Sequence, residues 1–246
     1  MLLRRLAGHV KSQNWFAVWL DFLIVVFGIF FGFQITAWNE QRADRALEAE
    51  YLQRIHDELK SARVDLESII REAQGNRLFA EDLTEFFDGR MAESDHQRLV
   101  VAINKFGLDP LLGFDTSTFN DLVSTGRLNL ISNIEERQAI QRAYAQLQRL
   151  EPIRDPYRDE YKFALSGLIP TSIRRQISAA CPEYSAYSAC SGLDLDDNAV
   201  RSIVEQSDTR EALMAFHIRD TGLGVIIGLG GEVLGVLDET LAQLER

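Results

Sequence analysis

The chain is poor in the residues that punctuate, cross-link and catalyse. Five prolines and 16 glycines in 246 residues argue against long disordered linkers. No run of alternating β-branched residues is long enough to make a sheet, so the expected fold class is all-α. The four histidines, His9, His56, His96 and His217, are scattered, and no HExxH, paired Cys/His or His–carboxylate spacing points to a metal. No GxSxG, P-loop or GxGxxG stands in the strand–turn–helix context that its chemistry needs. Among the 37 acids no carboxylate pair stands out for glycoside hydrolysis. The sequence therefore reads as that of a non-enzyme, with no cofactor and no metal.

What is present is one long apolar run near the start, WFAVWLDFLIVVFGIFFGFQITAWNE over residues 15–40. No polar residue occurs from Phe22 to Phe33. Trp19 and Trp38 bracket a stretch that, at 1.5 Å per residue, spans about 30 Å, the thickness of a bilayer's hydrocarbon core. Trp15, Trp19, Gln34 and Trp38 are the expected membrane-interface residues, because an indole buries its ring at the headgroup boundary while its N–H stays wet. A cleaved signal peptide is the alternative. Bulky or charged residues follow the run, however, and at the nearest small-x-small candidate, Ile35-Thr36-Ala37, Ile35 spoils the outer position. The segment reads as an uncleaved signal-anchor.

Charge orients it. Residues 1–14 carry Arg4, Arg5 and Lys11 and no acid, and Asp21 is the only charge in the apolar segment, so the chain's net charge of -11 leaves -13 for residues 39–246. By the positive-inside rule the tail is cytoplasmic and the acidic bulk is exported. The expected location is a bacterial inner membrane, crossed once, with the C-terminal domain in the periplasm. Such a domain repels nucleic acid and anionic headgroups. The expected organisation is a cytoplasmic basic tail over 1–14, a transmembrane helix over 15–38, a stem and second helix over 39–90, and the rest of a periplasmic helical bundle over 91–246.

Within the anchor, Asp21, Val25, Gly28 and Gly32 follow 4-3-4 spacing and share one face. Gly28 and Gly32 form GxxxG, which admits another helix to backbone contact. Two readings stand. Asp21 can simply reach headgroup water, with the glycines as ordinary composition, or the face is a helix–helix contact with a second copy or another membrane protein.

Beyond the exit, Leu52, Ile55, Leu59, Ala62, Leu66, Ile69 and Ala73 make a 3-4-3-4 stripe uninterrupted by Gly or Pro, so the anchor is expected to continue as a helical stem to about Gly75 or Asn76. At little more than three heptads the stripe fits a helix packed in its own domain better than a coiled-coil dimer. Ser94-x-x-Gln97 reads as a capping box before 99–106. Asp115 or Thr116 reads as the cap of a short helix ending at Gly126, and Asn133-x-x-Glu136 as the cap of a helix running to about Leu150. Asp109 to Gly113 reads as a turn, Pro156 as the first residue of a helix toward Leu168, and Asp208-x-x-Glu211 as the start of the last helix. That last helix contains TGLGVIIGLGGEVLGVL over 221–237. Six glycines and Glu232 weigh against a second span, and Leu223, Ile226, Gly230, Val233, Leu237, Leu241 and Leu244 form the buried stripe of a soluble helix.

Cys181 and Cys190 bracket a small loop and, in an oxidising compartment, read as a disulfide. A redox pair is the alternative, without a CxxC to support it. Asp194 to Asn198 resembles a calcium loop but lacks its glycine and distal Glu, and reads as N-cap residues instead.

The exit Gly28-x-x-x-Gly32-x-Gln34-Ile35-x-x-Trp38-Asn39-Glu40-x-Arg42 resembles the N-terminus of a family of uncharacterised bacterial single-pass membrane proteins, defined as a domain of unknown function. Glu50-Tyr51-Leu52-x-x-Ile55 and the run from Ser124 to Ile131, STGRLNLI, are similar to later segments of that family. The resemblance is strongest over about 19–75 and patchy to 150; the cysteine loop and the glycine-rich last helix lie outside it. It implies location and architecture and supplies no activity. At the exit, Gln34 and Trp38 stand one turn apart, and either set helix depth at the interface or dock a membrane partner.

Taken together, the expected function is interaction: an accessory or scaffolding subunit whose partners are the bilayer and either a membrane protein or a second copy, with no nucleic acid. The alternative is a ligand-sensing exported domain that signals through a partner.

Overall fold

The computed structural model describes residues 15–108, 113–150, 154–182 and 187–245, with the backbone alone for 15–18 and 154–158. The basic tail, most of the turn from Asp109, Pro152 and part of the cysteine loop lie outside the described residues. So do the side chains of Trp15 and Pro156.

The protein is all-helical, with no strand among the described residues. Among the described residues nine α-helices follow in order: α1 Trp15–Arg77, α2 Ala80–Phe87, α3 His96–Phe106, α4 Ser117–Ser124, α5 Ile134–Leu150, α6 Arg154–Ala164, α7 Thr171–Ala180, α8 Asp197–Ser207 and α9 Arg210–Leu244. The chain divides into two compact units, 1–51 and 52–246. The described part of the first is the beginning of α1, from Trp15 to Tyr51.

In the second unit, the end of α1 and the part of α9 from Asp220 onward form an antiparallel spine. Ile55, Leu59, Ala62, Leu66, Ile69 and Ala73 are buried, as the stem's stripe predicts, and from α9 Leu223, Ile226, Val233, Leu237 and Leu241 are buried too. A Cβ on Gly230 would stand 3.0 Å from Ile70 Cδ1, so this glycine lets the two helices close on each other. Ion pairs mark the register: His56 with Glu245 at 3.4 Å, Arg63 with Asp238, and Arg77 with Asp220 at 3.0 Å. α5 and α6 pack on α9, α2 and α8 on α3. α9 thus gives part of its apolar sequence to the interior of this unit.

Helix ends show where local rules held. Asn133 Oδ1 accepts from the N–H of Glu135 at 2.9 Å, and Asp196 Oδ1 from that of Ala199 at 2.9 Å. Gly126 closes α4 at φ +68°, the left-handed geometry that favours glycine. Asp115 Oδ1 accepts from Ser117 N–H at 3.0 Å.

Three expectations are corrected. Gln97 makes no capping box with Ser94. It is drawn away by the disulfide loop and the residues just after it, donating to Tyr187 Oη and Leu193 O and accepting from Leu195 N–H. The last helix is capped by Thr209, whose hydroxyl accepts from Ala212 N–H at 3.1 Å, one residue later than Asp208. α6 begins at Arg154, two residues before Pro156, and stops at Ala164; a separate 3₁₀ turn covers Ser166–Leu168.

That turn packs against the end of α3. A Cβ on Gly107 would overlap Ser166 Oγ and stand 3.0 Å from Tyr161 Cε1. The buried Ser166 hydroxyl has no hydrogen-bond partner. Gly107→Ala is therefore expected to cost about 1–3 kcal/mol by overpacking, and Ser166→Ala to recover most of that loss. Urea unfolding of the two single variants and the double variant measures the coupling. Additive effects would rule out the clash as the cause.

α2 and α3 are joined by Arg98, which reaches Asp82 at 3.3 Å and Glu85 at 2.7 Å. Burial raises the Asp82 carboxyl above its ordinary 3.8, and Arg98 only partly offsets this. A raised carboxyl binds its proton more tightly in the folded than in the unfolded chain. Stability from this group is therefore greatest below pH 3.8 and is lost as pH rises through the folded value. Asp82→Asn lacks that titration, so it is expected to gain on the parent chain as pH rises from acid to neutral. Denaturant midpoints across that range check the direction.

Candidate functional site

The part of the chain with no packing inside the molecule is the apolar stretch of α1. No residue of its most apolar window is buried, and from Trp19 to Trp38 nearly every large apolar side chain is exposed. Water does not tolerate a continuous apolar surface of this kind, which calls for lipid or another protein. α9 also meets the length and composition of a membrane span, but a third of its window is buried.

Asp21, Val25, Gly28 and Gly32 lie on unbroken helix, which keeps them on one face. Val25 is 58% exposed, and a Cβ on Gly28 or Gly32 would meet nothing within 4 Å. Thr36 extends the face by one turn; its hydroxyl donates to Gly32 O at 3.0 Å, so no polar hydrogen is left pointing outward. Trp19 is exposed near one end of the segment. At the other end the guanidinium of Arg42 lies 6.0 Å over the ring of Trp38. This cation–π contact orients the indole, with exposed Gln34 one turn before it. The exit motif thus pairs Trp38 with Arg42, a contact that the i, i+4 spacing of those two residues allowed but that the reading of Gln34 passed over.

Several groups that could serve acid–base or nucleophilic chemistry are held in structural contacts. Cys181 and Cys190 lie with Sγ atoms 2.09 Å apart, at disulfide distance. A closed loop of this size contributes on the order of 2.5–3 kcal/mol in the chain-entropy model. Tyr144 Oη donates to Glu58 Oε2 at 2.6 Å, while Glu58 Oε1 accepts from Thr118 N–H at 2.7 Å and Ser117 Oγ at 3.1 Å. Glu58 therefore caps α4 and holds it on α1. Tyr161 Oη donates to Ile103 O at 3.1 Å. Burial pushes both phenols well up, keeping them protonated. Among the described residues, no group of three or more His, Cys, Asp or Glu could hold a metal ion.

Two buried cations escaped the sequence reading. Lys105 Nζ donates to the carbonyls of Cys181 and Pro182 at 3.1 and 3.2 Å. Arg219 Nη2 donates to Leu108 O at 2.7 Å. Arg219 could have been suspected, because it falls in register with Phe216, Leu223 and Ile226 on the buried stripe. In comparisons with known proteins, the chain matches no family model, no curated protein and no solved structure.

Proposed function

We propose that the protein is an accessory or scaffolding subunit of a bacterial inner-membrane complex, anchored by one N-terminal span and carrying an exported helical domain. The single-pass family described by the exit motif is part of this proposal. What supports it is the segment from Trp19 to Trp38: helical, apolar and unburied, with the face Asp21, Val25, Gly28 and Gly32 open to another helix. A tether alone needs length and hydrophobicity; a close-approach face adds a partner. The disulfide and the -13 charge beyond the anchor fit an oxidising, exported compartment.

Purification of the full chain in mild detergent, followed by mass spectrometry, is expected to recover a stoichiometric membrane protein or a homo-oligomer. Replacing Gly28 and Gly32 by Ile is expected to weaken that association. A clean monomer would sink the reading. A cysteine placed at the C-terminus is expected to be labelled from the exported side only; labelling only from the cytoplasm would mean a second span.

A further inference from the structure

In the second unit, α6 and the first turns of α9 enclose a groove of about 640 Å³. Glu160, Phe163 and Ala164 line one wall at i, i+3, i+4 spacing; Glu211, Met214, Ala215 and Ile218 line the other at i, i+3, i+4, i+7, with Arg210 beside Glu211. Ala215 is buried and forms the floor. Two small side chains, Ala164 and Ala215, leave the space open. Phe163 is 84% exposed and Met214 55% exposed, although the core lies two positions away on each helix, at Tyr161 or Leu165 and at Phe216. An exposed aromatic ring and a thioether from two helices, lining one recess of this volume, have the character of a small-molecule pocket.

The polar groups of the rim are uncommitted. Among the described residues, the side chains of Glu160, Arg210 and Glu211 make no hydrogen bond or ion pair. The two carboxylates come from opposite helices and outweigh the single guanidinium, which leaves the mouth negative. A ring face and two carboxylates are the groups that recognise an organic cation, the ring through its quadrupole and the carboxylates by charge.

We propose that this groove is a binding site for a small organic cation with an apolar body, of the alkyl- or arylammonium class. The apolar part lies over Ala164, Ala215 and Ile218 between Phe163 and Met214, and the cationic head lies between Glu160 and Glu211. The site is independent of the subunit reading, since it uses no residue of the anchor, and either can fail alone.

The test uses the full chain in phosphatidylcholine nanodiscs and three probes: benzyltrimethylammonium, the neutral benzyl alcohol and the anionic benzoate. Titration calorimetry is expected to show the cation binding about ten-fold or more tighter than either relative. The double variant Glu160→Gln/Glu211→Gln and the variant Phe163→Ala are each expected to weaken the cation by about ten-fold. All three residues are exposed, so the melting temperature is expected to hold, and measuring it separates lost binding from lost fold. Three outcomes would overturn the proposal: no binding by any probe, equal binding of cation and neutral probe, or unchanged cation binding by both variants.

Discussion

Arg219→Met is expected to lower the unfolding free energy of the full chain by about 3 kcal/mol. Arg219 is 2% exposed and sits at a core position of α9. Its guanidinium donates to Leu108 O at 2.7 Å and to Phe106 O at 3.4 Å, carbonyls at the end of α3 that its own helix cannot satisfy. Asn76 Nδ2, from α1, donates to the same Leu108 O at 2.6 Å, so three helices are tied at one carbonyl. The positive charge also lies at the helix's negative end, which adds to the stabilisation. Replacing a buried ionic group by an apolar one can be neutral when both partners are removed. The Phe106 and Leu108 carbonyls are main-chain groups, which stay behind and lose a donor, so the penalty stands. In a unit of this size the loss corresponds to roughly 6–12 °C in Tm. Arg219→Lys keeps the charge without the fork and is expected to fall between the two. A Met variant as stable as the parent would show that the burial cost of the guanidinium had cancelled its hydrogen bonds.

The opposite sign is expected on the outer face of the same helix. Gly228, Gly231 and Gly235 are exposed, helical, and open enough that a Cβ on any of them meets nothing within 4 Å. Their exposure sets them apart from Gly230, which is buried against Ile70. Each glycine costs about 0.8–1 kcal/mol relative to Ala in a helix interior, because it has more backbone freedom to lose. The triple Ala variant is therefore expected to be about 2–3 kcal/mol more stable, with Tm raised by roughly 4–12 °C. Gly230→Leu would drive side-chain atoms into Ile70 and Leu66 and is expected to destabilise, which makes it the internal control. Thermal melts of the full chain decide this. A triple variant no more stable than the parent would mean that the outer face is packed against something after all.

Much of this was legible because it is local. The stem's stripe from Ile55 to Ala73 obeys helical period and is buried at each of those positions; Asn133, Asp196 and Gly126 obey cap chemistry and sit where that chemistry requires. The misreadings have physical causes. Gln97 and Ser94 carry the pattern of a capping box, but the pattern cannot register that the loop at Tyr187, Leu193 and Leu195 offers Gln97 three hydrogen bonds from about ninety residues away. Asp208 and Thr209 are adjacent capping residues, and sequence alone does not choose between them.

What the sequence determined by itself is the all-helical class, the apolar segment at its start and the acidity of all that follows, because periodicity, run length and charge are properties of neighbouring residues. Only the tertiary structure decided which of two apolar helices is left without a partner. Both α1 and α9 have the composition of a span. α9 hides one face against α1, α5 and α6, whereas residues 19–38 hide none. Nor could the sequence bring Glu160 and Phe163 opposite Glu211 and Met214 across a groove, or Arg219 to the end of α3. Those meetings depend on how helices distant in the chain settle against one another, and that is set by the shape and volume of the shared core, which no single segment contains.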